Sequence, residues 1–329
     1  MPFLSVIIPH YNNVPLLARC LKSLTDADLG DDMQIIVVDD GSSPEQRQQL
    51  DTFVDTIPNS QFSILNFQFS NSNLGASAAR NRGLLSAKGQ FVWFVDADDE
   101  IDTNLLKLCW PKLKELDSTV DLLHLGPMQP TNSLVCRRLG RQHTLDHTTY
   151  WINRQLLMQH PDIRYLEDVA ILEDSIFILQ LLDKAKSIVT AHDCRLYIRH
   201  NDAPSVTSGA WSKEKSARFL PSIQLFFTHF KTFTDTQALK HSSTQALKHS
   251  STQALKHSSI QTLYHRYCYL YMRVLAVKGV PHTLYMKAFY NPIIRNNFTP
   301  NNLKERVLMT PFLHAILSTL CRLLRPSHN

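Results

Sequence analysis

Three polar clusters in this chain each follow a short apolar run. Asp96-Ala97-Asp98-Asp99 follows QFVWFV at 90–95, Asp39-Asp40-Gly41-Ser42 follows QIIVV at 34–38, and Pro9-His10-Tyr11-Asn12 closes FLSVIIP at 3–9. Asp96 and Asp98 stand two apart, which on extended backbone puts both side chains on one side. Carboxylates that close repel each other unless a cation lies between them. Their oxygens select a hard divalent cation, Mn²⁺ or Mg²⁺. Such an ion keeps coordination sites for phosphate oxygens, so a diphosphate is the natural ligand. An acid-x-acid triplet alone is also what turns and helix caps use. Its weight here comes from its place at the end of an apolar run, in line with two other such ends.

Two further stretches carry groups for chemistry. Asn73-Leu74-Gly75-Ala76-Ser77-Ala78-Ala79-Arg80-Asn81 opens a helix of small residues. Its first amides could receive an anion and Arg80 could add charge. The plainer reading is close packing on a sheet, with Arg80 pairing an acid. Downstream stand two acidic pairs, Glu167-Asp168 and Glu173-Asp174. A hydroxyl that attacks as a nucleophile needs a base within hydrogen-bond reach. An aspartate is ionised at neutral pH and can take that proton. Neither a Ser/His/Asp nor a Cys/His arrangement accompanies them, and a single displacement needs no covalent nucleophile.

The elements that must position these groups alternate. Strands are expected at 3–9, 34–38, 62–69 and 90–95, and helices at 14–24, 43–54, 74–87 and 105–116. Residues 121–200 read as mixed, with short strands at 122–125, 187–190 and 196–198 and a helix at 175–184. From Trp211 onward the pattern is helical. Strands alternating with helices imply parallel βαβ units and a doubly wound α/β sheet, with ligands beyond the carboxyl ends of the strands.

Taken in order, SVIIPHYNN, IIVVDDGSS, NSNLGASAARNRGL and AKGQFVWFVDADD resemble the family 2 glycosyltransferases of the GT-A fold. LEDSIFILQLLDKAKSIV at 172–189 is similar to that family's Glu-Asp catalytic segment. The resemblance spans about residues 3–205 and implies a doubly wound mixed sheet with helices on both faces. It also implies inverting transfer of a hexose or N-acetylhexosamine from a UDP-sugar to an acceptor hydroxyl of a bacterial surface glycan, lipooligosaccharide or capsule. By motif position, Pro9 and Tyr11 would frame the base and Asp39 would accept its N–H. Asp40 would lie toward base or ribose, Arg80 near the nucleotide, Asp96 at the ribose and Asp99 along the sugar pocket. Asp98 would bind the divalent cation, with His200 or Ser205 a further contact to diphosphate or metal. Asp174 would be the general base, and is favoured over Asp168 because the helix after it fits the family pattern better. One departure is Pro44-Glu45, where the family usually places an acid after the VDDGS turn.

Charge divides the chain. Residues 1–120 carry 9 Lys and Arg against 16 Asp and Glu, residues 121–199 carry 9 against 9, and residues 200–329 carry 16 against 4. The acidic front suits a cation-bridged ligand. The basic rear suits a polyanion or an anionic membrane surface, or is a solvated helical face. The stretch PFLHAILSTLCRLLRP at 311–326 reads either as an interfacial membrane helix or as a docked terminal helix. Six scattered cysteines without a C-x-x-C pair argue against a zinc ribbon and a disulfide scaffold. With no apolar run long enough for a span and no signal-peptide pattern, a cytoplasmic chain is expected, peripheral to the inner membrane. The partners expected are the donor and a glycan or lipid-linked acceptor, with no nucleic acid.

Three copies of TQALKHSS occupy residues 236–259. A period of eight winds no continuous apolar stripe around a helix, so the copies read as a duplication tolerated at the surface. The expected organisation is a transferase domain at 1–210, its nucleotide half at 1–120 and its acceptor half at 121–210, followed by a helical region at 211–329. The competing readings are a sugar nucleotidyltransferase on a related fold, for which the N-terminus lacks a Gly-rich basic signature, and a non-catalytic relative.

Overall fold

The computed structural model describes residues 1–57, 64–126 and 146–200, together with scattered helical positions between 219 and 232. The TQALKHSS copies, the stretch at 311–326 and Ser205 lie outside the described residues. The chain divides into two units: Met1–Glu167 with Glu173–Ala203, and Asp168–Leu172 with Pro204–Asn329. The first unit ends a little earlier than the expected boundary at 210, and residues 168–172 belong to the second.

Among the described residues, the first unit runs β1 (Leu4–His10), α1 (Val14–Thr25), β2 (Met33–Asp39), α2 (Pro44–Val54), β3 (Leu65–Phe69), α3 (Ala76–Ser86) and β4 (Phe91–Phe94). It continues with β5 (Glu100–Ile101), α4 (Thr103–Lys114), β6 (Leu122–His124), β7 (Tyr150–Asn153), α5 (Arg154–Gln159), α6 (Glu173–Lys184), β8 (Ile188–Thr190) and β9 (Tyr197–Ile198). Seven strands form one sheet in the order β3-β2-β1-β4-β7-β6-β8. The first four are mutually parallel, and β7 runs antiparallel to both β4 and β6. β5 and β9 pair apart from it as an antiparallel two-stranded ribbon. The architecture is the mixed α/β sheet of GT-A type that the resemblance implied.

The apolar runs become strands because both sheet faces are covered. Val6, Ile8, Ile35 and Val37 join one core with Leu17 and Leu21 of α1, while Ile7, Ile36 and Val38 join the other with Ala79 of α3. Near-continuous hydrophobic strands are what such burial requires. Small residues let α3 approach closely. A Cβ on Gly83 would sit 2.5 Å from Ile7 Cγ2.

The opening of α2 accounts for Pro44-Glu45. The Ser43 hydroxyl accepts the Gln46 N–H at 3.4 Å, and Pro44 occupies the first turn, where no amide donor is needed. Two features departed from the sequence reading: β7, which runs antiparallel and so splits the sheet, and the β5–β9 ribbon. β7 is a four-residue stretch, YWIN, buried throughout, with Trp151 and Tyr150 nearly inaccessible.

Of the second unit, Ser222 Oγ accepts the Ala170 N–H, and His229 Nε2 stands 3.1 Å from Asp168 Oδ2. Among the described residues, no helix is long and apolar enough to cross a membrane.

Candidate active site

The clusters after β1 and β2 meet through their loops, together with the end of β3. Asp40 N–H donates to the His10 carbonyl at 2.8 Å, and Ser70 N–H donates to the Asp39 carbonyl at 2.8 Å. Asn12 N–H donates to Ser42 Oγ at 2.7 Å, and Asn12 Oδ1 accepts the Ser43 N–H at 3.0 Å. Asn12 and Asn13 take positive φ to make this turn. Gly41 is required there as well, since a Cβ at its φ of +75° would lie 2.4 Å from the Ser72 carbonyl carbon.

Pro9 is paired within β1 and Tyr11 projects exposed just beyond the strand end. Asp39 is buried. Its Oδ1 accepts the Ser42 N–H at 3.0 Å and lies 3.5 Å from Arg47 Nε. Its Oδ2 has no hydrogen-bond partner and stands 4.0 Å from His10 Nε2. Burial, outweighing the attraction of Asp39, lowers His10 to about 4, so the ring is neutral at pH 7.

Asp40 does something the sequence reading did not give it. Its two oxygens accept the Leu74 N–H at 2.9 Å and the Gly75 N–H at 2.7 Å. Burial nonetheless raises its pKa, against those two hydrogen bonds. Two of the amides that were expected to await an anion, those of Leu74 and Gly75 just before α3, are therefore already occupied by a protein carboxylate.

The expectation that Asp96 and Asp98 project together also needs correcting. Strand β4 ends at Phe94, and residues 97 and 98 form a turn, so extended-chain alternation does not apply. Asp96 turns to Arg80, whose Nη2 donates to Asp96 Oδ1 at 2.8 Å and whose Nη1 donates to Glu173 Oε1 at 3.0 Å. Arg80 is 5 % exposed, and its guanidinium lies 5.2 Å from the Tyr165 ring centroid. Burial alone would raise Asp96, but Arg80 and the neighbouring His147 outweigh it and hold the carboxyl well below the usual range. Arg80 is thus a buried brace between two acids.

Asp98 is left to itself by comparison. The Arg19 guanidinium donates to its backbone carbonyl at 2.7 Å rather than to its carboxylate. Burial and then Asp96 raise its pKa. A half-buried carboxylate in which burial and Asp96 outweigh the nearby Arg199 and Arg19 is a donor that fits a hard divalent cation.

Asp99 Oδ2 accepts the Tyr197 hydroxyl at 2.6 Å and Oδ1 accepts the His200 N–H at 2.7 Å, tying the acidic loop to β9. Burial pushes Asp99 up to about 6 in spite of these bonds. Its oxygens face protein donors, a different setting from the sugar pocket expected of it. His200 Nε2 lies 2.6 Å from Glu100 Oε2, so its ring is turned to that acid.

Asp174 opens α6 beside Glu173. One of its oxygens accepts its neighbour's amide, the Ser175 N–H, at 2.8 Å. Burial, and next the adjacent Glu173, raise Asp174 to about 7. The rival pair is placed otherwise: Glu167 Oε1 accepts from Asn81 Nδ2 at 3.0 Å, and Asp168 faces His229.

Sequence reasoning missed three residues here. Tyr165 carries Arg80 on its face and stacks on Phe177 with ring centroids 4.1 Å apart. Asp146 caps the short turn His147–Thr149, and its Oδ2 accepts from Arg199 Nη2 at 2.7 Å. His147 is 4 % exposed, packed edge-on to Phe94 and Tyr165, with Nε2 3.6 Å from Asp96 Oδ1. No spacing rule marks these positions. The one local signal is Asp146-His147-Thr148, in which the aspartate accepts the threonine N–H and hydroxyl.

The model of the glycosyl transferase family 2 matches residues 5–135. A GalNAc(5)-diNAcBac-PP-undecaprenol beta-1,3-glucosyltransferase of Campylobacter jejuni is 36 % identical over 115 residues, 35 % of this chain and 36 % of that protein. Across the first curated relatives, the chain spans between 36 % and 63 % of their own length. In structure it is similar to Staphylococcus aureus TarS 1-349 in complex with UDP-GlcNAc, at a TM-score of 0.61 and 17 % identity, covering 100 % of this chain and 93 % of that one. It is likewise similar to the mannosyltransferase PcManGT from Pyrobaculum calidifontis in complex with GDP-Man and Mn²⁺, at a TM-score of 0.53 and 17 % identity, covering 98 % and 87 %. At those identities the two structures are evidence of fold.

Proposed function

We propose that the chain, whose residues 5–135 match the glycosyl transferase family 2 model, is a transferase of that family that moves a hexose or N-acetylhexosamine from a UDP-sugar to an acceptor hydroxyl, with inversion. The observation that carries this reading is the Arg80 brace. One guanidinium bonds Asp96, in the acidic loop after β4, and Glu173, the immediate neighbour of Asp174. The nucleotide side and the base side of a displacement are thereby held at fixed separation.

Each residue then has a task. The unpartnered Oδ2 of Asp39 accepts an N–H of the base, and Tyr11 offers an exposed ring face beside it. Asp96, kept ionised by Arg80, stands toward the ribose. Asp174 takes the acceptor's proton. A carboxylate raised to about 7 is a stronger base than an ordinary aspartate and is still substantially ionised at neutral pH. Asp98 would hold the divalent cation, Mn²⁺ or Mg²⁺, which supplies charge neutralisation to the diphosphate leaving group. Arg80, whose Nη1 and Nη2 are engaged by two acids, positions Asp96 and Asp174's neighbour rather than meeting the phosphates. His200, turned to Glu100, stays outside the metal set.

The acceptor we assign is a bacterial surface glycan, lipid-linked in its growing form. The name of the Campylobacter relative, which ends in an undecaprenol-linked glycan, supports that class. The basic balance of residues 200–329 supports contact with the anionic cytoplasmic face of a membrane.

The test is release of nucleoside diphosphate from a panel of nucleotide sugars, with and without Mn²⁺. Release from a UDP-sugar that needs the cation, and that falls by about 100-fold or more in Asp98→Ala and in Asp174→Asn, is expected. A wild-type chain that binds UDP yet turns over no donor, with or without candidate acceptors, overturns the reading.

A further inference from the structure

We propose that Asp146, His147 and Asp174 form a second metal site, selective for Zn²⁺ or a similar borderline transition ion, whose occupation switches the base off. Ligand atoms of these three residues all lie within 4.8 Å of one another. A tetrahedral zinc with bonds of about 2.1 Å spaces its ligands about 3.4 Å apart, so the three need close by only on the order of an ångström. The site is separate from Asp98, whose carboxylate is not part of this group.

Three observations converge. The first is the imidazole. His147 is 4 % exposed, and neither ring nitrogen has a hydrogen-bond partner; the approach to Asp96 at 3.6 Å is beyond hydrogen-bond reach. A buried histidine without a partner costs stability, and its ligating atom lies among two carboxylates. The second is charge. Among the described residues, the arginines paired with the acids Asp96, Asp146, Glu173 and Asp174 are Arg80 and Arg199. Arg80 pairs with Asp96 and Glu173, and Arg199 with Asp146, so no described arginine forms an ion pair with Asp174. The adjacent Glu173 adds negative charge beside it, which a cation would offset.

The third is ligand type. One imidazole with two carboxylates suits zinc, whereas the all-oxygen setting of Asp98 with a diphosphate suits Mg²⁺ or Mn²⁺. Three protein ligands leave a fourth position for water. Asp174 bound to the ion has its lone pair committed and cannot take the acceptor proton. This last step rests on the proposed role of Asp174 as base; the binding itself does not.

The experiment titrates the full chain with Zn²⁺ against a chromophoric chelator and, in parallel, with Co²⁺ followed by visible absorption. One high-affinity equivalent is expected in wild type and in Asp98→Asn. His147→Gln and Asp146→Asn should each bind at least about 10-fold more weakly, and the intense four-coordinate Co²⁺ bands should vanish in His147→Gln. Two variants guard against a misfolded one, and thermal melts without metal identify it. Binding lost in Asp98→Asn and kept in His147→Gln overturns the proposal, as does no binding by wild type at 100 µM Zn²⁺ (roughly the weakest affinity a three-ligand site should show). In a second arm, donor turnover at saturating Mn²⁺ should fall with Zn²⁺ in wild type, with the inhibition constant raised at least about 10-fold in His147→Gln. Equal inhibition of both overturns the switch. A chain that binds Zn²⁺ as expected but transfers no sugar refutes the transferase reading and leaves the site standing.

Discussion

Three acids of residues 1–120 and one acid of residues 146–200, Asp174, are held in opposite ways. In the first region Asp39, Asp40 and Asp99 are clasped by amides and hydroxyls: Ser42 N–H, the Leu74 and Gly75 amides, the Tyr197 hydroxyl and the His200 amide. In the second, Asp174 takes a hydrogen bond only from its sequence neighbour Ser175, at the backbone amide and, more weakly, the hydroxyl, and Glu173 lies beside it. Clasped carboxylates shape loops; an under-supplied one keeps its lone pairs for a proton or a cation. A chain that must both build a nucleotide cleft and abstract a proton needs both kinds. Arg80 bonds one acid of each region.

Arg80→Ala should break the comparison most completely. Removing the guanidinium strands Asp96 and Glu173 as uncompensated, partly buried charges, and a loss of about 3–5 kcal/mol in urea unfolding is expected. Arg80→Lys should recover part of the stability and less of the turnover, because an ammonium cannot reproduce the two-armed geometry. Asp40→Ala should cost less, about 1–3 kcal/mol, since it leaves the Leu74 and Gly75 amides unpaired without exposing a charge. A chemical melt that matches wild type would show that the clasp is not structural.

The next prediction concerns a sign. Asp174 is raised from 3.8 to about 7 in the folded chain. Between those values the folded state keeps a proton that the unfolded state gives up, so rising pH works against folding until the carboxyl ionises near 7. Asp174→Asn removes that cost. Its unfolding free energy relative to wild type should therefore grow from pH 4 to about 7 and then level off. Over the same interval kcat/KM of wild type should climb to a plateau as the base ionises. A stability difference that shrinks as pH rises would mean Asp174 is stabilised as the anion, like the clasped acids. The smallest effect belongs to the repeats: deleting one TQALKHSS copy should leave UDP release within about twofold of wild type, as expected of an insertion at a surface.

The parallel half was legible in the sequence because burial on both faces forces long apolar runs, and each run ends in the residues that matter. Elements at 3–9, 34–38 and 90–95 emerge within a residue or two as β1, β2 and β4. β3 is shorter than expected, Leu65–Phe69, and residues 58–63 lie outside the described residues. The antiparallel β7 was hidden because YWIN is too short to show a period, and only its neighbours in the sheet make it a strand.

In the site, position along the chain pointed to Asp96, Asp98 and Asp174, yet not to what they touch. The plainer sequence reading had Arg80 pairing an acid but could not say which, and the partners are Asp96, 16 residues on, and Glu173, 93 residues on. Nor does sequence reveal that Asp40 takes the two amides just before α3, or that His147 and Asp146 arrive beside Asp174. Those are tertiary facts, set by where α6 and the 146–149 turn come to rest.

The Arg80 brace also constrains how this chain can have diverged. With Asp96 and Glu173 both leaning on one buried arginine, loss of Arg80 strands two acids at a cost of about 3–5 kcal/mol, a large share of the stability of a typical domain, whereas loss of one acid leaves the arginine paired with the other. Losing the arginine first is therefore the costly step. Lineages descended from this arrangement should keep all three positions or exchange them as a block, so an arginine at 80 without an acid at 96 and 173 marks a compensating cation or anion elsewhere in the core.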